Sequence, residues 1–388
     1  MGTEGVGKEP GRAVPLAAAV GSGRPDAVRG QAPPVPAWRR LAGPAALALG
    51  LWIMLVLSGV RALTPAPVQP LVNSINPYHL QVLMYVGINI MLTASLNLVN
   101  GFMGEFSVGH AAFMAAGAYA CSIVMVWWVP RSLWPFLFPL AVVAGGAVAS
   151  LVALLVAIPS FRTRGDYLAI VTLALNMIVK SAIENIEAIG GPRGFLGMGR
   201  LTQPAWVYAW VVLTLWVLSR FVYSRFGRGA NAIREDEVAA EIVGVDTRRV
   251  KVQTFLLAAF FAGAAGGLYA HLVQFINPRS FDIIKSTEIL VMLYLGGVAS
   301  LAGSVVGASI YTLLLEALRF LGVWRWVLAP LLLVLLMILR PRGLLGYREF
   351  GGFIPARERA YRQAARLHGA AHPDASGTGA GAGITPAG

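Results

Sequence analysis

Charged residues are scarce in this sequence: Asp, Glu, Lys and Arg make up 13% of its 388 residues, about half of the roughly 25% found in soluble proteins. So few charges cannot cover a water-exposed surface, which excludes a soluble enzyme and a disordered chain. The single cysteine, Cys121, excludes an internal disulfide and therefore a secreted disulfide-rich scaffold. Apolar residues, in contrast, make up 57% of the chain, and the mean hydropathy is +0.67. This composition indicates a polytopic membrane protein.

The apolar residues form runs that are long enough to cross a bilayer, since a transmembrane helix needs about 20 of them. The sequence predicts an all-α integral membrane protein with about ten transmembrane helices. The eighth span is short and rich in glycine, so a re-entrant hairpin with the ninth is the alternative at that point. The predicted spans are Leu41–Leu63, His79–Asn100, Ser107–Trp128, Trp134–Ile158, Asp166–Glu184, Pro204–Val222, Val250–Phe275, Thr287–Ser300, Gly303–Phe320 and Trp324–Leu339.

The basic residues outnumber the acidic ones, 31 to 18, but they cluster in the tails and in a few short loops. That distribution is typical of topology determination and not of nucleic-acid binding. With ten spans the main clusters fall on one side, which the positive-inside rule assigns to the cytoplasm together with both termini. We expect a disordered tail at 1–40, a transmembrane domain at 41–340 with a cytoplasmic loop at 223–249, and a mostly disordered tail at 341–388.

The most informative polar segment runs from Gly227 to Gly244. An acidic run lies toward the start of a helical pattern, where the helix dipole favours anions, and Gly244 stands where a left-handed helix end favours glycine. The acidic run is Glu235, Asp236 and Glu237. Three apolar residues share the spacing of one helix face, namely Ile233, Ala240 and Val243. The pattern predicts one amphipathic helix of about three turns, either a solvated connector or an element that needs a partner surface.

Two groups of glycines interrupt the apolar runs. They are Gly101, Gly104 and Gly109 between the second and third spans, and Gly296, Gly297 and Gly303 around the eighth and ninth. Interrupted helices expose backbone at membrane depth, which is tolerated only where protein or a water-filled cavity covers it. Such breaks in two halves of a transporter point to a translocation path, and close helix packing is the alternative.

Few residues suggest a chemical role. His110 is expected in the first helical turn of the third span, capped by Ser107, where a structural hydrogen bond is favoured over a proton relay. Lys180 and Glu184 stand four residues apart and predict an interfacial ion pair. Gly2, Gly7 and Lys8 fit part of a phosphate-binding loop, but Glu9 replaces the required Ser or Thr. We therefore predict no ATP site in this chain, no catalytic residue and no metal site.

The segment from Glu237 to Gly244 resembles the coupling loop of ABC-importer permeases, in which Glu-Ala-Ala, three residues and Gly dock into a groove of the ATPase. This chain has one extra residue, Val238. From about Leu92 to Gly346 it resembles the LivM-type permeases of branched-chain amino acid transporters. The matching strings are Gly109–Phe113 with Gly117–Tyr119, Arg162–Leu173, Phe261–Gly263 through Tyr269–His271, Ile276–Pro278, Gly296–Gly297 and Arg340–Gly346. Departures from the family pattern include Asn176-Met177, Ile189 and Ala299-Ser300.

The resemblance implies a multi-pass permease subunit of the bacterial cytoplasmic membrane that is not itself an enzyme. It would form half of the path for branched-chain or other apolar amino acids. Its implied partners are a homologous LivH-type permease, two cytoplasmic ATPase subunits that use ATP and Mg, a periplasmic or surface substrate-binding protein and the lipid bilayer; no nucleic acid is implied. This chain would bind no cofactor. The implied ATPase-coupling residues are Arg234, Glu235, Asp236, Glu237, Ala239, Ala240 and Gly244. The residues expected to line the translocation path are the two glycine groups and His110.

Three other functions stay open. A related permease branch handles urea and short amides. An ion-coupled secondary transporter fits the hydropathy equally well, but it predicts carboxylates near the span centres, where this chain has almost none. A membrane scaffold or enzyme subunit without transport does not explain the coupling-type segment.

Overall fold

The computed structural model describes residues 76–161, 167–324, 327–328, 331, 334 and 343–345. Within these ranges the chain is helical, and the only strand-like pairing is an isolated antiparallel bridge between Phe195 and Ile276. The predicted first span, most of the tenth and both tails, apart from residues 343–345, lie outside the described residues.

Eight of the ten predicted spans fall on described residues, and each coincides with a helix. The long helices are α1 (Pro77–Asn97, continued by a π-helical segment Leu98–Met103), α2 (His110–Ile123, continued by Val124–Trp128), α3 (Trp134–Ser160), α4 (Tyr167–Asn185), α5 (Pro204–Val222), α8 (Thr247–Val273), α9 (Ile283–Gly296) and α10 (Leu301–Ala317). Two shorter helices, α6 (Arg225–Glu235) and α7 (Glu237–Ile242), connect α5 to α8. Short 3₁₀ segments lie at Arg131–Leu133, Glu187–Ile189, Gly191–Arg193, Pro278–Phe281 and Leu318–Trp324.

Seven helical segments among the described residues are long and apolar enough to cross a membrane. Helix α9 is not one of them, because its 14 residues extend about 21 Å at 1.5 Å per residue, less than the bilayer core of about 30 Å. The described part of the chain is thus all-helical, and the protein is a multi-pass membrane protein. The total number of spans and the side on which each terminus lies remain predictions.

The centre of the bundle is the contact of α2, α3 and α8, which small residues make possible. Gly117 of α2 packs directly on Gly263 of α8, so that a side chain at Gly117 would overlap α8, and a side chain at Gly263 would overlap Ala149 of α3. Gly145 of α3 closes the same contact against Gly117. Such close approach of backbones is the usual basis of helix association in membranes. Gly267 of α8 likewise packs closely on Cys121 of α2.

Candidate functional site

The segment between α5 and α8 forms two helices, so the prediction of one continuous amphipathic helix is wrong. Asp236 ends α6 and begins α7 in an extended conformation, with φ −162° and ψ 114°. Its Oδ1 atom accepts hydrogen bonds from the N–H groups of Val238 (2.9 Å) and Ala239 (3.0 Å). The side chain of a capping aspartate accepts hydrogen bonds from the first N–H groups of the helix that follows, which have no acceptor within that helix. This local bonding competes with continuation of the helix that precedes it.

Helix α7 ends in the way that the sequence predicts. Gly244 adopts φ +90°, the left-handed conformation that favours glycine. The Gly244 N–H donates to Glu241 O (2.9 Å), and the Val245 N–H donates to Ala240 O (3.0 Å). This pair of bonds is a Schellman motif, which satisfies the last carbonyls of the helix and reverses the chain toward α8.

The outward surface of α7 is apolar and uncovered in the described part of the chain. Val238 is 57% exposed, Ile242 81% and Val243 84%, whereas Ala240 is only 5% exposed. Ile233 and Ala240 do lie on a buried face, but Val243 does not join them, because the helix ends at Ile242 and the chain then turns. We call the exposed set the apolar tip; it consists of Val238, Ala239, Ile242, Val243 and Gly244.

A buried lysine holds α7 to the bundle, and sequence reasoning missed it. Lys251 Nζ lies 2.7 Å from Glu237 Oε1 on α7 and 2.6 Å from Glu105 Oε1 in the α1–α2 connection. Its side chain is 8% exposed and also lies over the Phe161 ring, 6.0 Å from the ring centre. In the sequence Lys251 is one of several basic residues after Gly244. The signal that distinguishes it is its place one residue inside the apolar run that begins at Val250.

Arg234, one of the residues implied to couple the ATPase, points into the protein. Its Nη1 atom donates to Gly101 O (3.1 Å), and Gly104 packs against its side-chain stem. Gly104 has φ +81°, so this position favours glycine both for its backbone conformation and for its contact with the Arg234 side chain. The predicted coupling segment and the first glycine group are therefore in direct contact. Glu235 and Asp236, by comparison, are exposed.

Gly101 of the first predicted glycine group meets the break that carries the second group at a junction organised by Asn97, which sequence reasoning did not identify. Asn97 is fully buried; its Nδ2 atom donates to Ser300 O and Ser304 Oγ, both at 2.8 Å, and its Oδ1 atom accepts from Ala299 N at 2.9 Å. Gly101 packs against the Asn97 side chain and Ala299 N. We call this set of contacts the Asn97 junction.

The chain between α9 and α10 is irregular and tightly packed. Gly297 has φ +126° and Ala299 has φ +60°. Gly296 packs directly on Gly303, leaving no room for a side chain at either residue. The backbone N–H groups of Leu344 and Leu345 donate to the carbonyls of Leu295 (2.9 Å) and Gly296 (3.1 Å) at the end of α9. The glycines at this break provide close packing in the described structure, and their role in a translocation path stays a proposal.

Gly109 and His110 lie at the start of α2. Gly109 packs against the backbone of Thr172 on α4. His110 is buried, and its Nε2 atom lies 2.8 Å from Ser95 Oγ; the Ser95 hydroxyl itself reaches Leu92 O at 2.9 Å. The structural hydrogen bond expected for His110 is thus present. The expected cap by Ser107 is wrong, because α2 begins at His110 with Gly109 before it and the Ser107 hydroxyl has no hydrogen-bond partner among the described residues.

The opposite end of the bundle carries a different ion pair from the one predicted. Lys180 contacts Asp282 at 2.6 Å and not Glu184. Asp282 caps α9, which brings its carboxylate toward α4. The hydrogen bond from Lys180, and then that from the Ile283 N–H, lower the pKa of Asp282. Among the residues that the structure describes, no three His, Cys, Asp or Glu side chains are placed to hold a metal ion.

Comparison with known proteins places this arrangement in a family. The sequence model of the family described as branched-chain amino acid transport system / permease component matches residues 78–340. The high-affinity branched-chain amino acid transport system permease protein LivM of Escherichia coli (strain K12) is 32% identical over 293 residues, which cover 66% of this chain and 68% of the relative. LivM of Salmonella typhimurium gives the same values. LivH of S. typhimurium is 27% identical over 271 residues, covering 69% of this chain and 79% of the relative.

No solved structure matches the chain. The family match contains the whole segment from α5 to α8, both glycine groups and Asn97. Since the match spans more than half of the sequence, the chain belongs to the family of branched-chain amino acid transport system permease components.

Proposed function

We propose that this chain is a permease subunit of an ATP-driven importer for branched-chain amino acids, forming half of the translocation path. ATP and Mg are used by separate ATPase subunits, and this chain binds no cofactor. The substrate assignment rests on the LivM and LivH relatives, whose names give branched-chain amino acids as the transported class.

The observation that carries this proposal is the apolar tip. An aliphatic surface exposed by 57 to 84% at Val238, Ile242 and Val243 is unfavourable in water and typical of a site that a partner covers. The helix that carries the tip is short and fixed at both ends. Asp236 caps its start, Gly244 ends it, and Lys251 forms an ion pair with Glu237 in its first turn. A preformed helix of this kind fits a groove on a partner protein.

The structure divides the implied coupling residues into two groups with different proposed roles. Ala239 and Gly244 are exposed and would contact the ATPase together with Glu235. Arg234, Asp236, Glu237 and Ala240 face the protein or cap its helices, and would hold the docking element in place. This division predicts that substitutions in the exposed group weaken binding of the ATPase. Substitutions in the other group alter how a movement of α7 reaches the rest of the protein.

In the membrane we place α6 and α7 on the cytoplasmic side with both termini. The basic residues between α5 and α8 support this orientation under the positive-inside rule. The ATPases would then bind the apolar tip, and a substrate-binding protein would approach the opposite end, near Lys180 and Asp282. A LivH-type permease would complete the path, and the localisation is the bacterial cytoplasmic membrane.

The test is uptake into proteoliposomes that hold this chain, its companion permease and the ATPases. With the binding protein outside and ATP inside, we expect saturable uptake of radiolabelled leucine, isoleucine and valine, at least tenfold above the level with ADP. Uptake of urea but not of leucine would overturn the substrate assignment. Leucine uptake driven by an ion gradient without ATP would overturn the transport mechanism.

A further inference from the structure

Two polar links join α7 and α6 to the inner part of the bundle. The first is Lys251 on α8, which reaches Glu237 on α7 and Glu105 in the α1–α2 connection at 2.7 and 2.6 Å. The second is Arg234 on α6, whose guanidinium donates to Gly101 O at 3.1 Å. Both links end in the same short stretch, residues 101–105, which follows α1.

This stretch is in turn joined to the break between α9 and α10. Gly101 packs on Ala299 N and on the Asn97 side chain, and Asn97 hydrogen-bonds across to Ala299, Ser300 and Ser304. A continuous set of contacts thus runs from Glu237 at the start of α7 to the Asn97 junction. Along this route Lys251 is the one residue with direct ion pairs to both α7 and the α1–α2 connection in the described structure.

The chemistry of Lys251 suits the transmission of a movement. Its ammonium is almost completely buried, and one charge holds two carboxylates that belong to different segments. A buried charge cannot be left without its partners except at a large cost in free energy. When α7 moves, the ammonium of Lys251 and the carboxylates of Glu237 and Glu105 therefore move together.

We propose that Lys251 is a positioning residue that passes displacement of α7 to the α1–α2 connection, and through Gly101 to the Asn97 junction. This inference rests on the proposed function, because it assumes that an ATPase displaces α7. It adds a specific prediction: removal of the Lys251 charge separates ATP hydrolysis from transport while the ATPase still binds, since the residues of the apolar tip and the Asp236 and Gly244 caps at its two ends are kept.

The experiment measures uptake and ATP hydrolysis in the same proteoliposomes for wild type, Lys251→Met, Lys251→Arg and Glu237→Gln. Lys285→Met is the matched control, because Lys285 forms a comparably buried pair with Glu288 (2.9 Å) on α9, away from α7. We expect Lys251→Met to retain the ATPase at a wild-type ratio on purification and to lower leucine transported per ATP at least tenfold. Lys251→Arg should restore most of that yield, and Lys285→Met should leave it within twofold of wild type.

A wild-type yield in Lys251→Met would overturn the inference, as would an equal loss in Lys285→Met. If Lys251→Met does not fold, Glu237→Gln decides, because it removes the charge of the ion pair with α7 and keeps Glu105: a reduced yield supports the link, and a wild-type yield overturns it. Failure of the proposed function is distinguished by the wild type, which would then show no ATP-dependent uptake before any variant is compared.

Discussion

Replacing Ile242 by Asp is expected to abolish ATP-driven uptake and to release the ATPase subunits, while the permease still inserts and folds. Ile242 is 81% exposed in this chain, so the carboxylate is solvated as long as no partner is bound. Docking would bury that charge without a counter-charge, at a cost on the order of 3 kcal/mol or more, which is about a hundredfold or more in affinity. The measurement is the amount of ATPase that purifies with the permease, together with uptake.

The matched control for this variant is Leu196→Asp. Leu196 is also a strongly exposed aliphatic residue, at 66%, but it lies in the connection between α4 and α5, at the end of the bundle opposite to α7. We expect this control to keep wild-type amounts of bound ATPase. Ala240 is less suitable as a probe, because it is buried and a large residue there would disturb the packing of α7 before any docking. Normal ATPase binding by Ile242→Asp would exclude the apolar tip as the docking surface.

Replacing Asn97 by Leu is expected to destabilise the permease more than any other substitution of one polar side chain in α1. The change leaves the Ala299 N–H without its acceptor and removes both hydrogen bonds from the Asn97 amide to Ser300 and Ser304. A buried unsatisfied N–H costs about 1–3 kcal/mol, and each lost side-chain bond about 0.6 kcal/mol in a membrane protein. We expect the apparent Tm in detergent to fall by several degrees. We expect uptake to fall at least in proportion to the loss of folded protein.

Asn89→Leu is the control on the same helix. The Asn89 amide donates a hydrogen bond to Thr312 Oγ1 at 2.9 Å, and Asn89 is only partly buried. Its replacement should cost about 0.6 kcal/mol and leave Tm nearly unchanged. Equal stability of the two variants would mean that the Asn97 junction contributes little to the fold.

The helices could be predicted from the sequence because the membrane imposes a length on them. A helix that crosses the apolar core needs about 20 apolar residues, and for α5 the bounds Pro204–Val222 follow directly from such a run. Gly244 was also predictable, since few residues other than glycine adopt φ +90° at a helix end. The break at Asp236 was harder to predict, because a carboxylate near the start of a helix has the same local pattern whether it caps that helix or lies within its first turn.

The contacts that organise the candidate site could not be predicted, because their partners are far apart in the chain. Asn97 and Ala299 are 202 residues apart, and nothing in the residues next to Asn97 distinguishes it from other asparagines in apolar runs. Glu105 and Lys251 likewise meet only because α1 and α8 pack together. The glycine groups were identified as interruptions of helices, but the contact of Gly101 with Ala299, at the second interruption, is a property of the folded bundle.

Photo-cross-linking in the assembled transporter tests most directly whether the apolar tip contacts the ATPase. A photoreactive amino acid replaces Val243, which is 84% exposed, or Leu196 as the control. We predict that irradiation joins the permease to an ATPase subunit only from position 243, which would also place α6 and α7 on the cytoplasmic side. No adduct from position 243 in a complex that retains its ATPase, or an equal yield from position 196, would contradict the account.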